Sequence, residues 1–178
     1  MEKKMNEKLV NEAIAGSKEA FCSLYGEYKD GLYRYALYRL GDPVEAEDAV
    51  SDCVLAAWQS IGSLRSSRAF GSWIYRILSN CCASRISQMI SSRDNLERVY
   101  NEGPGSSGGR SRSEYPSSLS TELSEALAIL KDDEREVVLL SVIGGLTSTE
   151  VSDQTGLTPG AVRSKLSRSL AKMREFLS

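Results

Sequence analysis

Residues 147–177 carry the densest set of local signals in the chain, and few folds accommodate them. Thr147-Ser148-Thr149-Glu150 has the form of a capping box. In that motif a hydroxyl caps the helix start, and a carboxylate three residues on reaches back to the free amide. Val151 follows on the side that must be buried. Gly156 stands where the chain has to reverse, and glycine tolerates the left-handed backbone such a turn needs. Thr158-Pro159 then restarts a helix as N-cap and first helical residue. Val162, Leu166, Ser169, Leu170, Met173 and Leu177 recur at helical spacing on one side, and Arg163, Ser164, Ser167, Arg168 and Lys172 lie largely on the other. The pattern predicts a helix-turn-helix whose second helix enters a DNA major groove.

A basic amphipathic helix is by itself most often a solvated face of an ordinary bundle. Three features weigh for DNA here. The preceding helix is short and capped, the turn carries glycine, and the basic residues begin in the first turns of the second helix. From Gly156 onward there are five basic residues and one acidic residue, Glu175, in a chain whose net charge is −2. Positive charge is therefore concentrated at this end. The residues expected to contact DNA are Thr158, Gly160, Arg163, Ser164, Lys165, Ser167, Arg168 and Lys172.

The rest of the inventory excludes much. The chain has no histidine, which removes the commonest general base and metal ligand. Cys22, Cys53, Cys81 and Cys82 form no CxxC pair, so a zinc site is not expected. Cys53 and Cys81 fall on apolar helical faces and read as small core residues. The glycines at 103–109 lack the lysine and the preceding strand of a phosphate loop. No catalytic residue, cofactor or metal is predicted. No apolar run reaches the length of a membrane span, and the charged N-terminus lacks a signal-peptide core. A cytoplasmic protein without membrane insertion is expected.

Residues 178 in number suffice for one ordinary domain or two small ones. Residues 9–40 have helical periodicity, with a break expected near Asp30-Gly31. Gly41-Asp42-Pro43 ends that segment and caps the next. In this second helix Ala46, Ala49, Val50, Cys53, Val54, Ala57, Trp58 and Ile61 repeat at three and four, and Glu45, Glu47, Asp48 and Asp52 form an acidic face. Part of the acidity suits the helix dipole, and the remainder could dock on a basic partner. A polar, basic loop at 62–69 leads to a helix expected to end near Ser91, with Phe70, Trp73, Ile74, Ile77, Leu78 and Cys81 on its core face. Periodicity then fails. Residues 101–116 are rich in Gly, Ser and Pro and read as a flexible linker. Beyond it, Leu119, Leu123, Leu127 and Leu130 outline one helix, Asp132-Asp133 cap another, and Gly144-Gly145 end it. The predicted fold is all-α: a helical domain at 1–98, a flexible linker at 99–118, and a helix-turn-helix domain at 119–178.

Several blocks together resemble one family. They are Glu19-Ala20-Phe21 with Leu24-Tyr25, Leu32-Tyr33-Arg34-Tyr35-Ala36, Gly41-Asp42-Pro43, Ala46-Glu47-Asp48-Ala49-Val50, Ala57-Trp58, and Phe70 with Trp73-Ile74-Tyr75-Arg76-Ile77 and Asn80. In the second half they are Arg135-Glu136-Val137, Gly145-Leu146-Thr147 with Glu150-Val151, and 159–166. In this order, around a linker, they resemble bacterial RNA polymerase sigma factors of the extracytoplasmic-function group. The resemblance implies a subunit that binds core RNA polymerase and promoter DNA and needs no catalytic residues. It implies that Glu47, Asp48, Ser51 and Asp52 dock on the polymerase. It further implies that Ser63, Arg65, Ser66, Arg68, Tyr75, Arg76 and Asn80 hold the −10 element, where a loop of the family captures a flipped base. The helix-turn-helix would read the −35 element. An anti-sigma factor is a candidate partner, because the family often works with one.

The chain departs from the family pattern at Ser51-Asp52, where Gln-Glu is usual, and at Ser84, where Asp is frequent. The Arg run that follows in the family is thinned to Arg85 and Arg93, which should weaken nonspecific DNA affinity. A competing class is a stand-alone helix-turn-helix regulator with an N-terminal protein-interaction domain. Only the sigma reading requires the acidic helix and the 70s helix together.

Overall fold

A computed structural model of the chain describes the backbone of residues 2–100 and 121–178 and the side chains of 7–96 and 121–178. The predicted linker at 101–116 lies outside the described residues. Every regular element among those described is helical, in two domains, as the periodicity predicts.

The first domain comprises α1 (Glu2–Ile14), α2 (Lys18–Leu40), α3 (Pro43–Ser60) and α4 (Phe70–Tyr100). Short 3-10 turns, Ile61–Ser63 and Ser67–Ala69, join α3 to α4. Asp42 caps α3, its Oδ1 accepting from the amides of Val44 at 2.8 Å and Glu45 at 3.2 Å. The buried side of α3 is small: Ala46, Ala49, Cys53 and Ala57 are fully enclosed. Small side chains let α2 and α4 approach α3 closely on either side, at the density interiors require. Larger residues close the ends. Phe21 tilts against Trp58, and Tyr28 meets Phe70 edge-on, each pair with centroids 5.2 Å apart.

Three local expectations are corrected. The break near Asp30-Gly31 does not occur, and α2 runs through it. The chain breaks earlier, at 15–17, and Ser17 caps α2 by accepting from the Ala20 amide at 3.2 Å. Gly31 serves packing instead: a Cβ there would stand 2.5 Å from the Tyr75 hydroxyl. Next, α4 does not end near Ser91 but continues to Tyr100. Its core face is also rotated from the predicted one. Phe70, Ile74, Tyr75, Leu78 and Cys82 are buried, while Trp73, Ile77 and Cys81 are half-buried. Tyr75 turns inward against Tyr35 of α2, and Ser79 meets Glu136 of the second domain.

That second domain comprises α5 (Thr121–Ala128), α6 (Asp132–Val138), α7 (Ser148–Thr155) and α8 (Pro159–Leu177). One π-helical turn, Leu139–Ile143, extends α6. The N-cap of α6 is Lys131 rather than an aspartate, and Glu134 reaches back to accept from the Lys131 amide at 3.1 Å. Asp132 and Asp133 fall in the first turn, where the helix dipole favours them. Leu127, Leu130, Val137, Leu140, Val151, Val162 and Met173 form the core. Burial of each large side chain stabilises by about 1.5–3 kcal/mol before entropy is counted.

The two domains touch. Arg39 Nη1 of α2 donates to Tyr35 Oη and to Ser79 Oγ, both at 2.8 Å. Ser79 Oγ donates in turn to Glu136 Oε1 of α6 at 3.0 Å, and that oxygen lies 3.8 Å from Arg39. A second bond runs from Gln154 Nε2 of α7 to the Ser72 carbonyl at 2.8 Å. Tyr35 is fully buried in this network, and burial pushes its phenol up to about 12 against the pull of Arg39.

Candidate nucleic-acid interface

The helix-turn-helix is built by its caps. Thr147 Oγ1 accepts from the Glu150 amide at 3.2 Å, and Glu150 Oε2 accepts from the Thr147 amide at 3.1 Å. The box starts α7 as predicted. Gly156 ends it in the left-handed region, φ 78°, with its amide on the Ser152 carbonyl at 2.9 Å. An L side chain is strained at that φ, so glycine is the residue the turn selects. Thr158 then caps α8, accepting from the Ala161 amide at 3.1 Å, with Pro159 at the first position. Val151 and Val162 are fully buried across the turn and set the angle between the helices.

The outer face of α8 divides in two. Arg163, Ser164, Ser167 and Arg168 are exposed, as are Thr158 and Gly160 at the start. No ion pair engages Arg163 or Arg168 among the described residues. Lys165 and Lys172 are engaged from within the domain. The Lys165 ammonium bonds the Asp133 carboxylate, and Lys172 Nζ lies 2.7 Å from Glu134 Oε1. The lysines hold both carboxyls below their usual range, first through these hydrogen bonds. Among the described residues, six of the eight predicted from spacing are thus exposed without an ion pair, the other two are paired with α6, and the unpaired charge among them belongs to the arginines.

The first domain carries a second polar surface. Ile61 and Leu64 are buried, which pins the loop against α1 and turns Ser63, Arg65, Ser66 and Arg68 outward. Arg68 Nε reaches Glu7 Oε1 of α1 at 3.2 Å yet stays 81% exposed. On α4, Arg76 and Asn80 are exposed one turn apart. Tyr75 departs from this group: it is 2% exposed, edge-on to Tyr35 at 5.8 Å, with burial raising its phenol pKa. Its neighbour Arg76 points about 100° away around the helix. In this arrangement Tyr75 is a core residue rather than part of the exposed surface predicted for it.

The acidic face of α3 exposes Glu47, Asp48, Ser51 and Asp52, flanked by Val44 and Leu55, two large apolar side chains open to solvent. It is not free of positive charge, as its own sequence suggests. Arg85 reaches across from α4, with Nη1 2.9 Å from Glu45 Oε2 and 3.7 Å from Asp48 Oδ2, and Nη2 2.8 Å from Asp52 Oδ2. Periodicity could not reveal this partner, which stands 40 residues from Glu45. The only hint was that Arg85 survives where the basic run is thinned.

Among the described residues, no group of His, Cys, Asp or Glu is placed to hold a metal, and no helix is long and apolar enough to cross a membrane. Comparison with known proteins places both domains in one family. Residues 24–89 match the family model for Sigma-70 region 2, and residues 120–173 match Sigma-70, region 4. The chain is 31% identical over 173 residues to the ECF RNA polymerase sigma factor BldN of Streptomyces coelicolor, covering 95% of itself but 64% of that relative. It is 24% identical over 182 residues to the ECF RNA polymerase sigma factor SigW of Bacillus subtilis, covering 97% of each. Two solved structures share the fold. CnrH, in complex with the cytosolic domain of CnrY, superposes with TM-score 0.70 at 24% identity, over 97% of this chain and 96% of that one. RpoE of Bartonella quintana, in complex with the anti-sigma factor NepR, gives 0.66 at 22% identity, over 88% and 96%.

Proposed function

Because the chain belongs to the sigma-70 family, in its extracytoplasmic-function group, we propose that it directs core RNA polymerase to promoters through three separate surfaces. The outer face of α8 reads the −35 element as duplex DNA. Arg163 and Arg168 serve as reading residues, and Thr158, Gly160, Ser164, Lys165, Ser167 and Lys172 surround them. The loop at 63–68 with Arg76 and Asn80 holds the melted −10 element. The exposed face of α3, through Glu47, Asp48, Ser51 and Asp52, docks on the polymerase. Sigma factors are initiation factors without catalysis of their own, so the chemistry of RNA synthesis stays with the polymerase, and the site of action is the cytoplasm. The domain limits 1–98 and 119–178 follow the same division. A protein that sequesters the chain, as an anti-sigma factor does, fits the pairing of CnrH with CnrY and of RpoE with NepR.

The observation that carries this reading is the pair of exposed arginines without an acidic partner among the described residues on the outer face of a capped recognition helix, on a chain whose other domain presents an acidic helix face. A stand-alone regulator requires the first and does not require the second. Transcription in vitro with purified core polymerase on a promoter library tests the proposal. Start sites that depend on this chain are expected, and no stoichiometric complex with core polymerase would sink it.

A further inference from the structure

The resemblance assigns the basic residues after Asn80 to DNA phosphates, and Arg85 is one of the few that remain. Its surroundings contradict that role. The side chain is 20% exposed, and both terminal nitrogens point into α3 rather than outward. Its Nε is buried without a hydrogen-bond partner, and its two terminal nitrogens are both taken up by carboxylates of α3. A phosphate could claim it only after the contacts to Glu45, Asp48 and Asp52 had broken.

Glu45, Asp48 and Asp52 stand at i, i+3 and i+7, one behind another on a single face of α3. Three carboxylates so placed repel one another and would splay into water. The planar fork of an arginine suits such a set, since its two terminal nitrogens can serve different acceptors at once. Here it ties the ends of the row, Glu45 at 2.9 Å and Asp52 at 2.8 Å, with Asp48 between them at 3.7 Å. The row is still open on its far side, because Asp48 and Asp52 remain 57% and 59% exposed. A second cation can therefore approach oxygens whose positions are already set. Two departures from the family pattern meet in this contact: the shortened acid at Asp52 and the thinned basic run.

We propose that Arg85 is a positioning residue of the polymerase-docking face, holding Glu45, Asp48 and Asp52 in the array that a basic surface of the polymerase recognises, and that it makes no contact with DNA. The inference rests on the reading of α3 as the docking face. Preorganisation of this kind raises affinity by removing the ordering cost at the moment of binding. It also makes a prediction opposite in sign to charge counting. Loss of Arg85 makes the face more negative, and by attraction alone the complex with a basic surface should tighten.

The test uses the full chain, purified core polymerase and promoter DNA. Arg85→Met keeps the apolar stem in place and removes the fork, and Arg85→Lys keeps the charge but not the fork. Both are titrated with core polymerase at several salt concentrations, beside thermal melts and beside promoter binding by preformed holoenzyme. Weaker core binding by Arg85→Met, about tenfold, is expected at moderate salt, with partial recovery in Arg85→Lys and unchanged promoter affinity of the assembled holoenzyme. The Asp52→Asn change should cost less in the Arg85→Met background than alone, since the two act as one unit. Equal or tighter core binding by Arg85→Met overturns the proposal. So does normal core binding with promoter affinity lowered and its salt slope shallower by about one, the signature of a phosphate contact. If Arg85→Met does not fold, Arg85→Lys decides alone: core affinity equal to wild type overturns the proposal. A wild-type chain that fails to bind core polymerase overturns the docking face itself, and this inference with it.

Discussion

Arg163 and Arg168 stand on the outer side of α8 with no acid engaged, whereas Lys165 and Lys172 each lie against a carboxylate of α6. This difference separates two kinds of DNA contact. An arginine free to present two donors to a guanine discriminates by about 1–3 kcal/mol. A lysine already paired must leave its carboxylate before it can neutralise a phosphate, so part of its gain is cancelled. Arg163→Ala is therefore expected to lower −35 affinity most on the preferred sequence and to relax preference at one position. Lys172→Ala should weaken all sequences alike, with a change in salt slope of less than the one unit an unpaired cation contributes. Binding of both variants to a panel of −35 sequences at several salt concentrations checks this. Equal loss on every sequence for Arg163→Ala would make Arg163 a phosphate contact.

Between elements, the same ion pairs fasten the start of α6 to α8. Asp133 and Glu134 have folded pKa values below their ordinary 3.8 and 4.5, chiefly through Lys165 and Lys172. A carboxyl whose folded pKa is lowered contributes stability that is present in full above the ordinary value. That stability is lost as pH falls through the lowered folded value. Wild type should thus lose melting temperature on acidification over that range, and a variant with Asp133→Asn and Glu134→Gln should show a flatter acid limb. Parallel curves for the two proteins would mean that these pairs are too well solvated to matter. The contact of α2 with α4 gives a second test. Alanine at an ordinary helical glycine stabilises by about 1 kcal/mol. At Gly31 the added Cβ meets the hydroxyl of a buried tyrosine, so Gly31→Ala should instead destabilise by about 1–3 kcal/mol, measured in a thermal or denaturant melt.

At the scale of the whole molecule, the docked domains and the proposed DNA targets differ in size. The −35 and −10 elements lie roughly 25 base pairs apart, on the order of 85 Å along B-form DNA at 3.4 Å per pair. A packed chain of this length has a radius of gyration of about 16 Å. Contact with both elements at once requires the domains to part, breaking Glu136 from Ser79 and Arg39, and Gln154 from Ser72. Glu136→Ala removes the acid from the first of these contacts. With one fluorophore on each domain, its distance distribution should shift to longer values than wild type. An unchanged distribution would show that apolar packing of the π-helical turn on α2 holds the docked state without the ion pair.

What the sequence determined by itself was whatever depends on neighbours in the chain. The capping box at Thr147 and Glu150, the caps at Asp42 and Thr158, and the reversal at Gly156 are bonds between residues two to four apart, and each forms as its residues predict. Helical periodicity likewise separated the inner and outer faces of α3 and of α8 as far as Met173, because a helix repeats its faces regardless of what covers them, whereas Leu177 beyond it, expected on the inner side, is exposed. Tertiary structure decided what covers them. Tyr75 and Arg76 are adjacent and both polar at one end, yet one is buried edge-on against Tyr35 and the other faces solvent. Glycine breaks a helix or permits a close approach according to what stands opposite, and at Gly31 the Tyr75 hydroxyl stands opposite. The charge on a surface is also a tertiary property. Lys165, Lys172, Asp48 and Asp52 are each met by an opposite charge from a helix more than thirty residues away. Coulomb attraction acts through space, and only the fold sets which charges come within reach.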